Sequence, residues 1–94
     1  MKWVKWRRVN RDLRKGEIIR WKLRKQDKRS KDGYIYGRVT GGFGMRRDAI
    51  GSAIFVENEA WTYEECKKKE SKDRARWIRD LDRIEVMEGE NEMP

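Results

Sequence analysis

The chain has no histidine, one cysteine (Cys66), one proline (Pro94) and one glutamine (Gln26). Without histidine there is no imidazole to act as general base, and every His-containing triad is excluded. A lone cysteine cannot form an internal disulfide or a cysteine-based zinc site. With no histidine to activate it, Cys66 is expected as a small buried residue. No apolar run approaches the roughly 20 residues of a membrane-spanning helix. The basic opening Met1-Lys2-Trp3-Val4-Lys5-Trp6-Arg7-Arg8 has no apolar signal core. These absences predict a soluble, intracellular (cytoplasmic) protein. Scarce Gln, Asn and Cys beside abundant Lys, Arg and Glu lean towards a thermophile.

Charge and aromatic rings dominate what is present. Charged residues make up 45% of the 94, hydrophobic residues only 36%, and 25 Lys and Arg outnumber 17 Asp and Glu for a net charge of +8. Five Trp, three Tyr and two Phe argue against disorder, because disordered chains avoid aromatics. Ninety-four residues suffice for one hydrophobic core, so a single small domain is expected over 1–88. Residues 1–15 are then either a basic arm or an edge strand, and 89–94 an acidic frayed tail. The charge is lopsided. Residues 1–47 hold 17 Lys or Arg against 4 Asp or Glu, whereas 48–94 hold 8 against 13. Either the halves pair with each other, or the first presents a cationic surface to a polyanion.

Residues 17–24 alternate, with Ile19, Trp21 and Leu23 on one face and Ile18, Arg20, Lys22 and Arg24 on the other, which predicts a half-buried strand with a basic outer face. Asp32-Gly33 signals a turn. Residues 34–40 form a second strand, with Ile35 and Val39 on one face and Tyr34, Tyr36, Arg38 and Thr40 on the other. Gly37 within it marks a bulge, a bend or a close backbone approach. The run Gly41-Gly42-Phe43-Gly44-Met45-Arg46-Arg47 reads as a flexible loop, and 52–57 as a buried strand. Thr62 and Glu65 have capping-box spacing and Glu64/Glu65 precede Lys68/Lys69 by four residues, so a helix is expected over about 63–72. The rival reading pairs 60–65 back on 52–57 as a strand. Ile78 and Leu81 suggest a packed single turn, and 83–88 a closing strand. Residues 3–9 are a further candidate strand. Four or five short strands gain most by curling. The expected fold is mainly β: a small, strongly bent antiparallel barrel, SH3-like or OB-like, with one short helix. The strand-rich order, basic charge and glycine-kinked second strand look like the small basic SH3-like barrels.

Cations that neutralise phosphates and tyrosines that stack on bases would share one sheet face, formed by Arg20, Lys22, Arg24, Tyr34, Tyr36 and Arg38. In the glycine-rich loop, Arg46 and Arg47 could grip a phosphate and Phe43 could wedge between base steps. It lacks the Lys-Ser/Thr end of a nucleotide-binding P-loop. At the N-terminus, Lys5, Arg7 and Arg8 interleave with Trp3 and Trp6. These features point to a non-enzymatic nucleic-acid-binding module of low sequence specificity for DNA or RNA, since nothing resembles a base-reading helix. It needs no cofactor or metal. The alternative is a protein-interaction or structural part that docks its basic half on an acidic partner or on itself, as a homodimer. A weaker third option, a metal-dependent nuclease, rests on Asp48 followed by Glu65-Cys66-Lys67, whose carboxylates could hold Mg²⁺.

Overall fold

A computed structural model describes residues 2–47, 53–68 and 75–88. Six antiparallel strands form one sheet: β1 (Lys2–Lys5), β2 (Ile18–Lys22), β3 (Tyr34–Gly41), β4 (Ile54–Ala60), β5 (Arg76–Ile78) and β6 (Ile84–Glu88). The order across it is β1-β6-β2-β3-β4-β5, so β1 and β5 are the hydrogen-bonding edges and no ladder joins them. A single helix, α1 (Tyr63–Lys68), follows β4. Three 3-10 turns, Trp6–Arg8, Phe43–Met45 and Leu81–Arg83, complete the described elements. Among the described residues the mainly β class and the single short helix agree with expectation, and the strands number six rather than four or five.

The period-two pattern places one face of every long strand inside. Ile19 and Trp21 of β2, Ile35 and Val39 of β3, Ile54 and Val56 of β4, and Ile84 and Val86 of β6 are all buried in one cluster. Ile78 from the end of β5 joins them, as do Trp6, Val9 and Leu13 from the N-terminal segment and Leu81 from the last turn. Gly37 faces the same interior. A Cβ there would lie 3.1 Å from the Trp21 indole and 3.3 Å from Val56 Cβ, so the glycine marks a close approach of packed side chains.

The opposite face is also covered, which strand alternation did not reveal. Tyr36, Ala60 and Cys66 form a second buried cluster, with Trp3, Ile18, Tyr34 and Tyr63 packed against it. The lid is α1. Its start follows the capping box, with the Glu65 amide donating to Thr62 Oγ1 at 3.1 Å. The rival strand over 60–65 does not form, and the predicted extension of the helix beyond Lys68 lies outside the described residues. Asn58 lets β4 reach this lid. It adopts a left-handed φ of 59°, tolerable for asparagine, where the pairing slips between Arg38↔Glu57 and Tyr36↔Ala60. The extra residue turns Ala60 to the helix side.

Candidate nucleic-acid interface

The register brings together the predicted sheet face: Arg20 lies opposite Tyr36, Lys22 opposite Tyr34, and Arg38 opposite Ile18. Most of that face is not open to a ligand. The Arg20 guanidinium is sandwiched 4.7 Å from the Trp3 ring and 3.8 Å from the Tyr34 ring. It pairs with Glu85 at 2.8 Å. Tyr36 is 4% exposed, meets the edge of Trp3 at 5.6 Å, and donates its hydroxyl to Asp32 Oδ2 at 2.5 Å. Tyr34 donates its hydroxyl to Glu85 at 3.0 Å. Arg38 donates to the carbonyls of Cys66 (3.3 Å) and Lys67 (3.1 Å) and so closes the C-terminal end of α1. The expectation that these rings form a stacking platform is therefore corrected: Trp3 and α1 already occupy Tyr36, Arg20 and Arg38.

Ionisation follows these contacts. Burial alone would raise the Asp32 carboxyl, but hydrogen bonds from the Tyr36 hydroxyl and the Tyr34 amide hold it below the usual carboxylate range. Burial and the bond to Asp32 push the Tyr36 phenol up. Asp27 is held at about 2 by the guanidinium and amide of Arg29.

Arg47 is also structural. Its amide donates to Asp12 at 2.7 Å and its guanidinium to the Arg7 carbonyl at 2.6 Å, tying the glycine-rich loop to the N-terminal segment. Arg46 is exposed on that loop. Phe43, at its tip, is 84% exposed. Gly42 holds the tip in shape, with a φ of 115° and no room for a Cβ, which would lie 2.5 Å from the Ala53 carbonyl oxygen. At the N-terminus, Arg7 pairs with Asp82 at 2.8 Å, Lys5 reaches the Asp82 carbonyl at 3.5 Å, and Arg8 is exposed. β3 has eight residues, so the Phe43 tip lies about 25 Å along the strand direction from the β2–β3 turn.

The two cation types divide the work. Among the described residues every ion pair is made by an arginine. Arg7, Arg11, Arg20 and Arg24 reach the acids of 80–88, Arg11 also holds Glu17, Arg29 holds Asp27, and Arg76 holds buried Glu59. None of the nine described lysines has a carboxylate partner among the described residues. Lys2, Lys5, Lys15, Lys22, Lys25, Lys28, Lys31, Lys67 and Lys68 are all exposed. Lys22, Lys25, Lys28 and Lys31 crowd the end of the β2–β3 hairpin, whose only acids, Asp27 and Asp32, are engaged by Arg29 and by Tyr36.

Sequence reasoning missed a cleft of about 300 Å³ lined by Trp21, Arg24, Arg76, Trp77, Ile78, Arg79, Asp80 and Arg83. It joins β5 to the end of β2, three places away in the sheet order. The Arg76 guanidinium lies 5.8 Å from the Trp21 ring across the gap. β5, at three residues, is too short to show alternation. The signal available was compositional, two arginines flanking Trp77 in Arg76-Trp77-Ile78-Arg79. Trp77 is 52% exposed and rests on Phe55, ring centroids 5.0 Å apart.

No group of His, Cys, Asp and Glu among the described residues could hold a metal. Of the nuclease candidates, Asp48 lies outside the described residues, Glu65 is part of the helix cap, and exposed Lys67 stands two residues along α1 from it. No helix among the described residues is long and apolar enough to cross a membrane.

Compared with protein families, curated proteins and solved structures, the chain finds no match. The functional reading rests on its own chemistry.

Proposed function

We propose that this is a non-enzymatic nucleic-acid-binding module that holds the phosphate backbone with little regard for base sequence. It works inside the cell on a sheet curled towards a small SH3-like barrel. One observation carries the reading: folding draws Arg7, Arg11, Arg20, Arg24, Arg29 and Arg76 into ion pairs and leaves all nine described lysines exposed and without carboxylate partners among the described residues. Lysine presents a point charge on a flexible stem and suits phosphate attraction without base readout. The densest group is Lys22, Lys25, Lys28 and Lys31 on the hairpin end, with Lys5 and Arg8 on the N-terminal segment. Phe43 adds an apolar contact at the far end of β3. Support for the curl comes from side chains of β2, β4, β5 and β6 sharing one buried cluster.

A salt titration of binding to a labelled duplex tests the reading. Four lysine–phosphate contacts would release enough counterion for affinity to fall on the order of 100-fold between 50 and 200 mM salt. Changing the four hairpin lysines to glutamine should reduce the log–log slope by about 3–4. An affinity that moves less than twofold over this range, or no binding at low salt, overturns the reading. So does a stable dimer in sedimentation that buries residues 18–40 and excludes nucleic acid.

A further inference from the structure

Resting on that reading, we infer that Trp77 and Phe55 form a base-stacking shelf on the helix side of the sheet, with Lys67 and Lys68 of α1 beside it to hold phosphates. The shelf takes unpaired bases of a passing strand. The protein therefore prefers single-stranded nucleic acid to continuous duplex.

Register fixes the side. Ile54 and Val56 of β4 are buried in the core, so Phe55 between them faces the other way. Ile78 pairs with Ile54 and Arg76 with Val56, which leaves Trp77, paired with Phe55, on that same outer side. The two rings meet there with centroids 5.0 Å apart and planes at 45°. α1 covers this side only in part. Its C-terminal end is tied to Arg38, which donates to the Cys66 and Lys67 carbonyls. Arg38 stands opposite Glu57, two residues along β4 from Phe55. Two strand spacings and two residues of rise put Trp77 roughly 12 Å from Arg38, backbone to backbone. The helix thus ends beside the shelf rather than on it.

The chemistry of the shelf selects its ligand. Trp77 is half exposed on an edge strand, and Phe55 beside it restrains the ring. A restrained and accessible indole is a sequence-tolerant stacking surface for a base. Bases paired within a duplex hide their faces, so only unpaired ones can lie on it. Lys67 and Lys68 are exposed at the C-terminal end of α1. Glu57 faces the same side but has Arg38 opposite it, so the two lysines leave this surface cationic. A second copy docking by this face would gather both pairs of lysines in one interface, which like-charge repulsion opposes. The hairpin lysines lie at the other end of β3 and attract single strand and duplex alike.

Anisotropy titrations of the full chain with a labelled 12-nucleotide single strand and a 12-base-pair duplex test the inference. Trp77→Leu keeps an apolar contact for Phe55 but removes the flat ring. It should weaken single-strand binding about tenfold while changing duplex binding less than twofold. Trp77→Phe should recover most of the loss. The double variant Lys67→Gln/Lys68→Gln should lower the single-strand log–log salt slope by about 1–1.5, and the duplex slope by less. A thermal melt of each variant accompanies the titrations, and if Trp77→Leu melts early the lysine pair carries the comparison. Binding of both ligands with a steep salt dependence but equal sensitivity, or none, to Trp77 and to the lysine pair overturns the shelf and leaves phosphate binding standing. A parent dimer that Trp77→Leu converts to monomer in sedimentation also overturns the shelf. Absence of binding to either ligand overturns the proposed function, and the shelf with it.

Discussion

A methyl group added at Gly37 would press on the Trp21 indole at 3.1 Å and on Val56 at 3.3 Å, both held in the core. Neither can retreat without moving a strand, so Gly37→Ala should cost about 1–3 kcal/mol in denaturant unfolding. A stability equal to the parent would show that the indole has slack. Tyr36 is the second sensitive residue. Its hydroxyl bonds to a carboxylate whose pKa lies below the normal range, so the folded state binds that proton less tightly than the unfolded state. The stabilisation is present above the unfolded value near 3.9 and drains away as pH falls through and below it. Tyr36→Phe should lower the neutral-pH stability by about 1–3 kcal/mol and flatten the acid limb of a stability–pH curve. Parallel curves for the two proteins would reject that linkage. Phe43 is the opposite case: at 84% exposure, Phe43→Ser should leave unfolding within about 0.5 kcal/mol and weaken nucleic-acid binding.

At the level of elements, α1 is a six-residue helix that relies on its ends and its docking. Thr62 caps the start and Arg38 the finish. Thr62→Ala should cost about 1 kcal/mol, measured by thermal or denaturant unfolding. β2, β3, β6 and the helix start were legible because alternation and the Thr62/Glu65 spacing are local signals. The helix side of the sheet was not legible. Its cover is assembled from Trp3, Tyr63 and Cys66, residues far from β2 and β3 in the chain, and long-range packing leaves no mark on strand periodicity. The slip at Asn58 compounds this, since one extra residue reverses which side Ala60 faces. Tyr34, Tyr36 and Arg38 do share a side, as alternation implied; what lies over that side came from elsewhere. β5 and its cleft were hidden by brevity.

Across the whole molecule, the opposed charge of the two halves has two outcomes at once. Four arginines of the first half reach acids between Asp80 and Glu88, so part of the asymmetry is internal glue. Half-buried Arg11, bidentate on Glu17 and bonded to Glu88, is the best anchored of these. Its guanidinium is held above its ordinary pKa, chiefly by the hydrogen bond to Glu17, and stays charged at any practical pH. The lysines, with Arg8, Arg14 and Arg79, keep the surplus. Raising salt should therefore affect binding far more than folding, because half-buried pairs are screened less than exposed charges. Matched titrations and melts at 50 and 500 mM salt would show this. A melting temperature that collapses along with the affinity would contradict it.

Cys66, on the sheet-facing side of α1, is fully buried and is the chain's sole thiol. A maleimide or disulfide reagent in the solvent can reach that sulfur only when the helix lifts away from β3 and β4. The labelling rate of the unmodified protein is thus a built-in clock for this one undocking event. Slower labelling on addition of a ligand would show that its occupied site is coupled to the lid.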